Sequence, residues 1–136
     1  MQEGERQPEH ARRLSEVIPP PTPYARTYRF RGWTVVELRG EVDLGSEAQV
    51  EPHLAAAVMW PAPLRVVLDL GPLEFIDCYG LSLLVRARRR VTGHGGRVGM
   101  VCDHPQTWKL LGLTGLDGLF HPVRTLEDAL RDVPAR

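Results

Sequence analysis

The chain has 136 residues, enough for one domain with a real core and too few for two. Its 17 basic and 17 acidic side chains cancel, so global charge gives no reason to expect nucleic acid or an anionic membrane as partner. Hydrophobic content of 43% and charged content of 25% are ordinary for a globular protein, and no apolar run approaches the roughly 20 residues of a membrane helix.

The charged N-terminus lacks the apolar core of a secretion signal. Two cysteines, Cys78 and Cys102, make no disulfide framework, and a cytoplasmic location with reduced thiols is expected. Residues 1–26 are polar, then proline-rich from Pro19 to Pro23. Such a stretch cannot bury enough apolar surface to offset its ordering entropy, so a disordered tail is expected there.

The folded domain is expected over 27–132, with 133–136 as a short C-terminal tail. Tyr28 and Phe30 alternate before the turn pair Arg31-Gly32, and Trp33 to Arg39 follows as a second strand of a hairpin. Gly40-Glu41-Val42-Asp43 ends it. Leu44 to Met59 has helical composition, with capping-box spacing at Ser46 and Gln49. Pro52 is awkward in it, so the regular helix either starts near Pro52 or kinks there.

The stretch that organises the chain runs from Arg65 to Val91. Val66 to Leu70 is a short apolar run, the pattern of a strand covered on both faces. Gly71-Pro72 breaks it, and Leu73 to Ile76 is a second extended piece. Asp77 stands where a helix N-cap should. Leu81, Leu84, Ala87 and Val91 then recur near helical spacing, with Arg86, Arg89 and Arg90 largely on the other side. Arg86, Arg88, Arg89 and Arg90 form a basic run suited to a helix C-terminus and expected to be a solvated face, with contact to an acidic partner as the alternative. The corner Asp77-Cys78-Tyr79-Gly80 would thus be presented at the mouth of a helix, where orphan N–H groups and the helix dipole favour negative charge.

Beyond the Gly93–Gly96 turn, Arg97 to Cys102 is a strand. Asp103 is expected to cap a short helix with Pro105 in its first turn, ending at Gly112. Thr114 to Gly118 would be a loop and Leu119 to Val123 a last strand weakened by Pro122. Thr125 with Asp128 would cap a final helix. Strands separated by helices imply parallel pairing through right-handed crossovers. The expected class is α/β, with a mixed sheet of about five strands, an N-terminal hairpin and four helices.

Gly40-Glu41-Val42-Asp43, Leu68-Asp69-Leu70, Phe75 to Leu81 and the later Leu113 to Phe120 together resemble the STAS domain of bacterial anti-sigma factor antagonists. The likeness covers roughly Tyr28 to Arg131. It implies a non-catalytic protein that binds an anti-sigma factor, often a serine kinase of the GHKL ATPase type, and so releases a sigma factor for transcription. It also implies a partner-binding surface of Glu41, Asp43, Asp77, Cys78, Tyr79, Gly80 and Ser82. No cofactor, metal, direct nucleic acid or membrane contact is implied, and a weak homodimer is left open. The alternative is a ligand-sensing or scaffold STAS module in a larger signalling assembly.

In that family a serine usually follows the Asp and accepts phosphate from the kinase, which breaks the complex. Here Cys78 holds the acceptor-equivalent position, so the phosphorylation site is expected to be degenerate. Cys78 is open to three readings: a small residue in the serine's place, an inert buried thiol, or a redox sensor favoured by a helix N-terminus and opposed by Asp77. Ser82, one turn further on the same face, is either a substitute acceptor or a plain surface serine.

Enzyme templates fail on their own residues. A Cys-x5-Arg phosphatase loop would need arginine where Leu84 stands, and no P-loop, HExxH or CxxC occurs. Cys102, His104 and His121 are too scattered to argue a metal site.

Overall fold

The computed structural model describes residues 18–61 and 63–131. Residues 1–17 of the expected 1–26 tail, and the expected tail at 133–136, lie outside them. The first hairpin is β1 (Ala25–Phe30) and β2 (Trp33–Leu38), antiparallel with Phe30 opposite Trp33. Arg31 (φ 54°) and Gly32 (φ 81°) both take left-handed geometry, which matches a two-residue turn to the strand twist. β4 (Arg65–Asp69) pairs parallel with β2, and β6 (Arg97–Val101) pairs parallel with β4. The main sheet therefore runs β1-β2-β4-β6. A separate parallel pair joins β3 (Gly40–Val42) to β5 (Leu73–Ile76).

One face of the main sheet carries the larger core. Val36, Leu38, Val66, Leu68 and Met100 meet Leu54 of α1 (Glu47–Ala56) and Leu84 and Ala87 of α2 (Cys78–Gly93). The other face packs Trp33, Val35, Val67 and Val101 against Leu126, Ala129 and Leu130 around α5 (Leu126–Leu130). Because both faces are covered, β2 is buried at every position, which explains its near-continuous apolar run. α3 (Pro105–Leu113) and the single turn α4 (Asp117–Phe120) follow β6.

The mixed α/β class stands, with several local revisions. The expected strand over Leu119–Val123 is absent: Asp117–Phe120 is helical, His121 turns left-handed (φ 47°), and only Val123 bridges to Val101. Pro122 has no N–H to extend a ladder, and the chain reaches β6 only at Val123. The α-helices among the described residues accordingly number five rather than four.

Asp103 does not cap α3. His104 holds the N-cap position without a side-chain bond, and Asp103 pairs with Arg124 at 3.1 Å. The expected Ser46–Gln49 box is replaced by one between Asp43 and Ser46. Gly45 N donates to Asp43 Oδ1 at 2.9 Å, and Asp43 N donates to Ser46 Oγ at 3.1 Å. These bonds close a 3-10 turn over Leu44–Ser46 that leads into α1, which runs through Pro52.

β1 starts at Ala25, two residues before the expected boundary at 27. Residues just ahead of it are held against α1. His53 Nε2 donates to the Pro20 carbonyl at 3.0 Å, and Thr22 Oγ1 donates to the Gln49 carbonyl at 3.2 Å. Since a carbonyl only accepts, the His53 proton sits on Nε2, and Nδ1 accepts from Thr27 Oγ1 at 2.6 Å. Composition alone hides these anchors, because each is a side-chain bond to a distant backbone or hydroxyl group.

Candidate functional site: a capped helix corner

The two small-sheet strands end side by side. Val42 and Ile76 are register partners, so Asp43 and Asp77, the next residue on each strand, leave the same edge of the pair. Asp77 N donates to the Val42 carbonyl at 3.5 Å. Its carboxylate then does what its position predicts: Oδ1 accepts from Gly80 N at 2.8 Å and caps α2. Asp43 performs the same service for the turn leading into α1.

Gly80 is buried where the first turn of α2 crosses the end of β3. A Cβ at that position would run into the Val42 carbonyl oxygen and Ile76 Cγ1. Only glycine lets the helix start so close to the strand, and this is the physical content of glycine in the motif.

The remaining corner residues face outward. Glu41 is exposed on β3, where its register partner is Phe75. Cys78 is exposed and free, which removes the inert buried thiol from its three readings. Cys102 is the buried thiol instead, and burial pushes its pKa up. Ser82 is exposed, with Oγ donating to the Tyr79 carbonyl at 2.5 Å. The Tyr79 hydroxyl donates to Glu47 Oε1 at 2.6 Å. That hydrogen bond, and the adjoining negative charge, hold the Tyr79 phenol above its ordinary pKa.

Glu47 therefore belongs to the corner although nothing in the sequence pattern marks it. It also faces Arg86 at 3.7 Å, and Glu51 accepts from Arg90 at 2.7 Å. The expected solvated basic face is thus partly spent in cross-links between α1 and α2. Asp69, the carboxylate of the Leu68-Asp69-Leu70 stretch, is buried and away from the surface. Its Oδ1 accepts from Gly71 N at 2.9 Å, and burial raises its pKa.

Four large apolar side chains are exposed on segments of the chain next to the corner, and of these only Tyr79 belongs to the expected partner surface. Leu44 is 67% exposed, Phe75 49%, Tyr79 37% and Leu113 76%. They come from the loop after β3, from β5, from α2 and from the end of α3. Leu44 follows Asp43, Phe75 lies two residues before Asp77, and Leu113 precedes Thr114, which lines a groove with Cys78; water-facing apolar groups on such segments are what a protein-docking surface offers. No group of histidine, cysteine and carboxylates able to hold a metal occurs among the described residues. No helix among them is long and apolar enough to cross a membrane.

A sequence model of the STAS domain matches residues 24–129. The anti-sigma F factor antagonist of Paenibacillus polymyxa is 31% identical over 87 residues, spanning 63% of this chain and 74% of that protein. The crystal structure of an anti-sigma factor antagonist from Mycobacterium paratuberculosis aligns with a TM-score of 0.71 at 31% identity, covering 82% of this chain and 96% of that one. The phosphorylated form of the Bacillus cell fate determinant SpoIIAA shares the fold at a TM-score of 0.60 and 21% identity, covering 81% of this chain and 99% of that one.

Proposed function

This chain belongs to the STAS domain family, and from that premise we propose that it acts in the cytoplasm as an anti-sigma factor antagonist without a serine switch. It binds an anti-sigma factor of the GHKL serine-kinase type through the Asp77–Gly80 corner and thereby frees a sigma factor. Glu41, Asp43, Asp77, Cys78, Tyr79, Gly80 and Ser82 contribute the surface, with Leu44, Phe75 and Leu113 adding apolar area. The relatives named as anti-sigma factor antagonists support the role.

One observation carries the reading that the switch is lost. The exposed side chain that follows the capping aspartate is a thiol, Cys78. Cysteine keeps the size of serine, so the shape of the docking corner survives. It is not an ordinary acceptor for a serine kinase, so the complex has no phosphate to break it. The protein then behaves as a permanently dephosphorylated antagonist.

The test is incubation of the purified protein with ATP and each GHKL-type anti-sigma factor of its genome, followed by binding measurements and phosphate mapping by mass spectrometry. The expected result is a stable complex with no phosphate at residues 78–82. Stoichiometric phosphate on Cys78 or Tyr79 overturns the lost switch, and failure to bind any such factor overturns the antagonist role.

A further inference from the structure

Beside the corner, α2 carries a stripe whose chemistry specifies more than a docking place. Cys78, Ser82, Val85 and Arg89 are spaced four, three and four residues apart, so they lie along one side of the helix. At 1.5 Å per residue the stripe is about 16 Å long. With Arg86 it forms one side of a groove of about 350 Å3, and Thr114 and Leu116 of the α3–α4 connection form the other.

The arginine at the far end differs from Arg86 and Arg90, while Arg88, which also makes no ion pair among the described residues, lines a different groove with Trp33 and Arg97. Arg86 and Arg90 meet Glu47 and Glu51 of α1. Arg89 is exposed and makes no ion pair among the described residues. No carboxylate stands three or four residues from it on α2, since those positions are Val85, Arg86, Thr92 and Gly93. An apolar floor ending in an uncompensated cation fits a ligand that is apolar along its length and acidic at one end.

The backbone around the groove narrows the choice further. Beyond its first turn α2 satisfies its backbone hydrogen bonds within the helix, and no strand residue lines the groove. An extended peptide laid there would leave its own N–H and C=O groups without partners from this wall. A helix satisfies its own backbone and presents side chains at the spacing of the stripe.

We propose that the groove along α2 receives an amphipathic helix of the anti-sigma partner, with a partner carboxylate seated on Arg89. The proposal rests on the antagonist reading and adds which partner element docks and which residue selects it. In it Arg89 sets specificity by charge, Val85 and Leu116 supply the apolar floor, and Ser82 marks the middle of the contact.

The test uses the full chain and the recombinant GHKL-type anti-sigma factors of the source genome, with affinity measured by calorimetry at low and high salt. Arg89→Glu is expected to weaken binding at least about tenfold and to flatten its salt dependence. Ser82→Trp, which fills the groove, is expected to abolish binding while thermal unfolding stays as in the wild type. Hydrogen exchange on the wild-type complex should protect the backbone over Thr114–Leu116 and a helical, acid-bearing segment of the partner. If the wild type binds while both variants bind equally well, or if the protected partner segment is not helical, the groove proposal fails and the antagonist reading stands. If the wild type binds no such factor, both fail together.

Discussion

The α-carbon of Gly80 lies against the carbonyl oxygen of Val42, at the point where β3 stops and α2 begins. That one approach sets the height at which Cys78 and Tyr79 leave the surface. It also ties the shape of the corner to the stability of the fold. Gly80→Ala places a methyl group into backbone, which does not yield as a side-chain tip would. The substitution is expected to lower stability by about 2–3 kcal/mol, read as a drop in the urea midpoint at unchanged slope. Partner affinity should fall with it, because the helix start has to move.

Asp77 serves the corner electrostatically rather than sterically. Asp77→Ala removes the side-chain N-cap of α2 and leaves the Gly80 N–H without its acceptor. A loss of about 1 kcal/mol is expected in denaturant unfolding, with Asp77→Asn losing markedly less because its amide oxygen still accepts. If both substitutions abolish partner binding at equal structural cost, the carboxylate charge itself contacts the partner.

His53 makes stability depend on acid. Burial lowers its pKa, and its neutral form already satisfies Thr27 and Pro20. The unfolded chain then binds a proton more readily than the folded one. The contribution is present above the ordinary histidine pKa of about 6.5 and is lost as pH falls through the depressed folded value. Urea unfolding at pH 5 and pH 7.5 should show the wild type losing stability toward acid. The part due to His53 should vanish in His53→Gln, and an unchanged acid slope in that variant would refute the assignment.

Asp69 has the opposite sign. Burial raises its pKa, and Glu37, its register partner on β2, adds repulsion despite the neighbouring Arg26. Its ionised form at neutral pH therefore works against the fold, by an amount that grows as pH rises from below the usual carboxylate pKa. Asp69→Asn keeps an oxygen for Gly71 N and removes the charge. A gain of about 1 kcal/mol at pH 7, shrinking toward pH 4, is the expected outcome in paired denaturation curves.

The sequence by itself determined the local pieces. Arg31-Gly32 specified the hairpin turn, Asp77 the helix cap, Gly71-Pro72 the break after β4, and the spacing of Leu81, Leu84, Ala87 and Val91 the buried face of α2. Each is decided within a few residues, by backbone sterics or by the nearest free N–H, and so can be read without knowing what lies opposite. The start of α2 at Cys78, directly after that cap, was legible for the same reason.

Only the tertiary structure decided the rest. It placed β3 and β5 in a sheet of their own and curled Asp117–Phe120 into a helical turn that takes in the start of the strand expected over Leu119–Val123. It spent Arg86 and Arg90 on α1 carboxylates while Arg89 makes no ion pair among the described residues, and it left Leu44, Phe75 and Leu113 exposed. A strand exists only where another strand stands beside it to take its hydrogen bonds, and a side chain is exposed only if nothing distant covers it. Both conditions depend on residues far along the chain, where local preference carries no information.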